Sequence, residues 1–244
     1  MSYYKIENLE EYFKHYKKSI REPKKFWDRI ASENFTWYQE WDNVIDFNMA
    51  EAEIKWFTNA KVNITKNCID RHLAKRGEKT AIIFEPNDPK EEALHITYNE
   101  LYERVSKMAN VLREQGVKKG DRVCIYLPMI PELAVSVLAC ARIGAIHSVV
   151  FAGFSASAVA SRINDCECKM VITSDGSYRG NKAIDLKGIV DEALEKCPTV
   201  EKVLVAKRTN TNVNMKAGRD QWLQPLLDDA MNTNVAEIMD AEDP

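Results

Sequence analysis

From residue 121 onward, short apolar β-branched runs alternate with longer segments of helical spacing, and few folds accept that pattern. DRVCIYLP (121–128) reads as a strand, and PELAVSVLACARIG (131–144) as a helix closed by glycine. AIHSVVFAGF (145–154) reads as a second strand, and SASAVASRIND (155–165) as a helix capped by Ser155. KMVITS (169–174) is a third strand, residues 185–196 a helix, and EKVLVAK (201–207) a fourth strand. Strands joined through single helices by short connections need right-handed crossovers, which build a mostly parallel sheet with flanking helices. The pattern predicts an α/β protein.

Ahead of this run, AIIFEP (81–86) and ALHIT (93–97) flank the turn-rich NDPKEE and predict a hairpin. T-Y-N-E at 97–100 has the form of a capping box. Leu101, Val105, Met108 and Leu112 then share one helical face, and Gly116 supplies the stop. Residues 1–66 differ in kind. They hold four of the five tryptophans (Trp27, Trp37, Trp41 and Trp56) and predict a mainly helical, aromatic-rich segment of short helices alternating with irregular stretches. The boundaries expected are therefore 1–66 for this segment and 67–244 for the α/β domain. Past residue 207, TNTNVN predicts a loop, QWLQPLLDDAM a short helix, and AEDP a turn or a cut end. A sheet that stops without a terminating element predicts a fragment.

Charge and cysteine usage narrow the function classes. A net charge of −3 gives no global field for nucleic acid or an anionic membrane, so any anion must be held by a local cluster. The six cysteines form no C-x-x-C pair, and most lie in apolar runs, which suits reduced thiols in a cytoplasmic setting. Cys166 and Cys168 lack a second pair or a suitably spaced histidine, so no metal site is expected. Residues 133–154 are long enough to span a membrane, but Arg142, Gly144 and His147 interrupt them, favouring a buried helix and strand. The N-terminus has no apolar core of the signal-peptide type. G-x-G-x-x-G, Walker and G-x-S-x-G signatures are missing, and no catalytic constellation is complete.

Two stretches lie where an open parallel sheet collects ligands, beyond the carboxyl ends of strands. FAGFSAS (151–157) offers Gly153 for close backbone approach and Ser155 at a helix start; taken alone it reads first as a tight strand–helix turn with no ligand. YRGNK (178–182) offers Arg179 and Lys182, three apart on a turn or first helical turn, a spacing that lets both point one way. Alone, they read first as solvated cations, with a phosphate held between them as the functional alternative.

WYQEWDNVIDFNMAEAEIKWFTNAKVNITKNCIDRHL, the segment from DRVCIYLP to SRI, YRGNK, GRDQW and the closing AEDP together resemble the N-terminal part of the AMP-forming acetyl-CoA synthetases. These belong to the adenylate-forming superfamily, and the resemblance covers essentially the whole chain. It implies part of the large N-terminal domain of such an enzyme, truncated before the phosphate loop. It implies a ligase that joins acetate and CoA with ATP and Mg2+, through acetyl-adenylate, releasing AMP and pyrophosphate. The catalytic residues are expected beyond residue 244, and the chain alone is expected to be inactive. CoA-binding residues implied by the family motifs are Phe151, Ala152 and Gly153, then Arg179 and Lys182, although many members carry arginine at the last position. The expected partners are the small molecules acetate, ATP and CoA, with no nucleic acid and no membrane; oligomeric state is left open. A propionate-specific relative and a non-catalytic nucleotide-binding module remain the alternatives.

Overall fold

A computed structural model describes residues 5–180 and 182–244. The chain divides into two compact units, residues 1–71 with 238–244, and residues 72–237.

In the first unit, helix α1 (Leu9–Arg21) starts where the Asn8 side chain accepts the Glu11 N–H at 2.8 Å. Helix α2 (Pro23–Asn34) begins on a proline whose fixed φ suits the first helical position. The next stretch departs from the expected short helices: β1 (Asn43–Asn48) and β2 (Glu53–Thr58) form an antiparallel hairpin. Its turn carries no glycine or proline. Instead the Asn48 side chain accepts the Ala50 N–H, and Ala52 takes the left-handed φ of +55°. The aromatics pack on one another, with Phe57 4.8 Å from Trp41 and 5.4 Å from Trp37. Strand β3 (Lys61–Val62) pairs antiparallel with Met239–Asp240, where the sequence suggested only a turn or a cut end.

The second unit begins within α3 (Arg71–Arg76), at His72, and continues with the expected hairpin β4 (Thr80–Phe84) and β5 (Leu94–Thr97). Helix α4 (Tyr98–Glu114) begins on the capping box, with both Thr97 and Glu100 bonding reciprocally. Its expected face is buried. Next come β6 (Arg122–Tyr126), α5 (Pro131–Ile143), β7 (Ile146–Val149) and α6 (Ala156–Cys166). Gly144 ends α5 at φ +74°, so 133–154 is a helix and strand. Among the described residues no helix is long and apolar enough to cross a membrane. The chain continues through β8 (Met170–Ser174), β9 (Ser177–Arg179), β10 (Lys182–Ile184) and α7 (Leu186–Leu194). It closes with β11 (Lys202–Ala206), β12 (Asp220–Trp222) and α8 (Leu223–Asp229).

Five strands form one wholly parallel sheet in the order β12-β11-β8-β6-β7, the α/β architecture expected. The step from β6 to β7 runs one way along the sheet, and the next steps run back across β6 to β8 and β11. Right-handed crossovers therefore put α5 on one face and α6 and α7 on the other. Tyr126 and Cys124 of β6, Val171 of β8 and Val203 of β11 bury into the core beneath α6 and α7. Strand β12 departs from the sequence expectation, because the polar DQW carries no apolar run.

A buried ionic cluster explains its place. Lys187, fully buried, meets Asp191 at 2.7 Å and Asp220 at 2.8 Å, while Arg219 meets Asp191 at 2.6 Å. Lys187 Nζ also donates to the Asn214 carbonyl at 2.9 Å, so α7, the 208–219 loop and β12 share one charge network. Burial works to raise the Asp220 carboxyl, but hydrogen bonds from Arg219, Lys187 and the Lys216 amide outweigh it and hold it below its usual range. Asp220→Ala, which leaves Lys187 buried without that carboxylate, is expected to cost about 3 kcal/mol in urea unfolding. The stability that Asp220 confers is fully present above its unfolded pKa of about 3.9 and drains as pH falls through the lower folded value. Acid titration should therefore narrow the difference between the variant and the parent only below about pH 4.

Candidate functional site

Beyond the carboxyl ends of β6, β7, β8 and β11 lies a cleft of about 590 Å³. It opens where the strand order reverses around β6, the place a doubly wound sheet leaves for ligands. Pro128 to Ile130 after β6, Phe151 to Phe154 after β7, Arg179 on β9 and Arg208 after β11 all line it. The β4 end adds Phe84 and Asn87.

The expected F-A-G stretch is not strand. β7 stops at Val149, and Phe151–Phe154 turn back, with the Gly153 and Phe154 N–H groups both donating to the Phe151 carbonyl. The turn is fixed from below by the buried Tyr126, whose hydroxyl donates to the Phe154 carbonyl at 2.8 Å. Burial, with Cys124 nearby, pushes that phenol up. Phe151 presents its ring to solvent, 69% exposed, edge-on to Phe154 at 5.9 Å. Glycine at 153 serves this ring: a Cβ there would stand 2.6 Å from Phe151 Cε1. The open backbone expected at Gly153 is thus covered by an aromatic face, a surface on which a nucleobase can stack.

Arg179 and Lys182 are not on a helical turn. They face each other as directly opposed residues of the β9–β10 hairpin, whose loop begins with Gly180 at φ +58°. The helix starts only at Leu186, capped by the Asp185 side chain. Opposed residues project to the same side of a hairpin, so the two cations are close neighbours, an unfavourable pairing unless an anion lies between them. Neither makes an ion pair among the described residues. Arg179 lines the cleft; Lys182 lies outside its lining.

Other contributors escape the sequence reading. Tyr178 and Arg208 line the cleft, and Arg208 Nη1 donates to Glu91 at 3.0 Å. Beneath them, Asp175 is fully buried, with Oδ1 accepting the N–H groups of Gly176, Arg208 and Thr209 at 2.7–3.0 Å. The signal for Arg208 is present, since it immediately follows an apolar strand at the ligand-bearing edge. The signal for the hairpin is Gly-Asn between two short runs. Nothing in the sequence marks Asp175. Among the described residues, no group of three or more metal-ligating side chains could hold a metal ion, and all six cysteines are free. Burial pushes the Cys140 and Cys168 thiols up to about 12, which leaves them protonated and unreactive at neutral pH.

Residues 69–244 match the AMP-binding enzyme family model, and residues 12–68 the model of the acetyl-coenzyme A synthetase N-terminus. The acetyl-coenzyme A synthetase of Desulfatibacillum aliphaticivorans is 53% identical over 235 residues, 96% of this chain and 36% of that protein. That of Magnetococcus marinus is 50% identical over 237 residues, 97% of this chain and 37% of that protein. The acetoacetyl-CoA synthetase structure from Streptomyces lividans superposes with a TM-score of 0.83 at 26% identity, covering 93% of this chain and 34% of that one. The chain thus spans little more than a third of the length of these relatives.

Asp175→Ala should leave three amide donors without their acceptor and cost about 3 kcal/mol in chemical denaturation. Asp175→Asn keeps an oxygen acceptor and should cost about 1 kcal/mol or less. Equal losses for the two variants would show that the amides are not what the carboxylate serves.

Proposed function

The chain belongs to the AMP-binding enzyme family, and from that premise we propose that it is the N-terminal part of an acetate–CoA ligase. On this reading residues 1–66 are the acetyl-CoA-synthetase-type N-terminal segment, and 67–244 the first part of the AMP-binding domain. The full enzyme joins acetate to ATP as acetyl-adenylate with loss of pyrophosphate, and the CoA thiol then displaces AMP. Mg2+ enters with ATP as part of that substrate. The bond-making groups lie outside these residues, and the chain alone is inactive. We read its compartment as cytoplasmic and its partners as small molecules.

This chain's own share is to hold the nucleotide end of CoA. The observation that carries the reading is the convergence of Phe151, Ala152, Gly153 and Arg179 on one cleft at the reversal of the sheet. The exposed Phe151 ring offers a stacking face, and Arg179 offers a planar fork for phosphate oxygens. Lys182, across the hairpin from Arg179, adds a point charge that can reach an anion from the cleft's rim. A phosphate there also relieves the repulsion of the opposed cations. These groups dock a carrier, and they act on affinity for CoA without touching adenylation.

In the full-length enzyme, Arg179→Ala is expected to raise the KM for CoA by about tenfold, the worth of one charge-assisted hydrogen bond. Acetate-dependent ATP–pyrophosphate exchange should stay unchanged. Equal damage to both half-reactions would count against the assignment.

A further inference from the structure

Arg208 is held by four residues from two distant stretches of the chain, 84–91 and 175–178. Its guanidinium carbon lies 5.2 Å from the Tyr178 ring centre and 5.8 Å from that of Phe84. Nη1 donates to Glu91 at 3.0 Å, and the backbone N–H donates to the buried Asp175 at 2.7 Å. The side chain is only 17% exposed. Tyr178 is the residue next to Arg179, on a hairpin of two three-residue strands, too small to hold its pose unaided. Its tip has a further tether, from Asn87 Nδ2 to the Gly180 carbonyl at 3.0 Å.

The charge of Arg208 is already answered by Glu91, so it adds little net field to the cleft. What it supplies is a flat, anchored surface behind Tyr178. We infer that Arg208 is a positioning residue, which stacks on Tyr178 and so aims Arg179 into the cleft. The inference rests on reading that cleft as the CoA-nucleotide site. An arginine suits the task because its planar group stacks and donates at once, whereas a lysine keeps the charge and loses the plane.

The test uses the full-length enzyme, with KM for CoA and acetate-dependent ATP–pyrophosphate exchange as paired readouts. Arg208→Ala and Arg208→Lys are each expected to raise the KM for CoA by about tenfold, as misaiming one charge-assisted contact does, with exchange preserved. In an Arg179→Ala background, Arg208→Ala should add less than about twofold, since its target is gone. A normal KM in Arg208→Lys, or a fully multiplicative loss in the double variant, overturns the inference. So does a parallel fall in exchange. If Arg208→Ala does not fold, Glu91→Gln loosens the same anchor and should raise the KM for CoA about threefold; no change there overturns the inference too. Silent Arg208 variants beside an affected Arg179→Ala remove this inference alone. A silent Arg179→Ala removes the site reading and this inference with it.

Discussion

The handedness of the crossovers around β6 governs most of what this chain can do. A right-handed return on each side of a central parallel strand forces helices onto opposite faces and splits the loops above it. The split leaves a crevice that no side chain of the sheet can fill, because the flanking connections diverge. Pro128–Ile130, Phe151–Phe154 and Arg208 line the cleft because each follows a sheet strand that ends there, and the β4 end and the β9–β10 hairpin supply the rest. Burial on both faces also explains why the inner strands β6, β8 and β11 are nearly continuous apolar runs, whereas β7 at the sheet edge alternates.

Because connectivity sets the crevice, its location is legible in the sequence before any side chain is placed. The alternation of strands and helices, the Thr97–Glu100 box, the Ser155 cap and the Gly144 stop are local signals, and each sits where the sequence puts it. The misses share a different origin. The β1–β2 hairpin turns on asparagine hydrogen bonding and a left-handed alanine, which no glycine or proline announces. Strand β12 is polar and joins the sheet because Asp220 answers a lysine thirty-three positions earlier in the chain. Arg179 and Lys182 are recognisable as a pair, but their spacing suits a helical turn and a two-residue hairpin alike. Gly-Asn between them distinguishes the two.

The site also divides between legible and illegible parts according to distance along the chain. Phe151, Gly153 and Arg179 stand in motifs, so their residue types carry information by themselves. Asp175, Arg208 and Glu91 act through contacts between segments far apart in sequence, and an aspartate beside a glycine looks like any loop residue until the partners are seen. Glycine at 153 illustrates a third case. It stands out in the motif, yet what a side chain there would meet, the Phe151 ring, appears only in the fold.

The β9–β10 hairpin follows directly on β8, whose five residues are all buried. Over a few positions the backbone thus passes from the centre of a parallel sheet to a short exposed ladder of three residue pairs. Opening free energy tracks such differences in burial, so amide hydrogens of 171–174 should exchange with solvent only through large-scale unfolding. Those of 178–180 and 182–184 should exchange through a local opening that leaves the sheet intact. The cation that faces the cleft is therefore carried by a short exposed ladder that springs from a strand buried along its whole length.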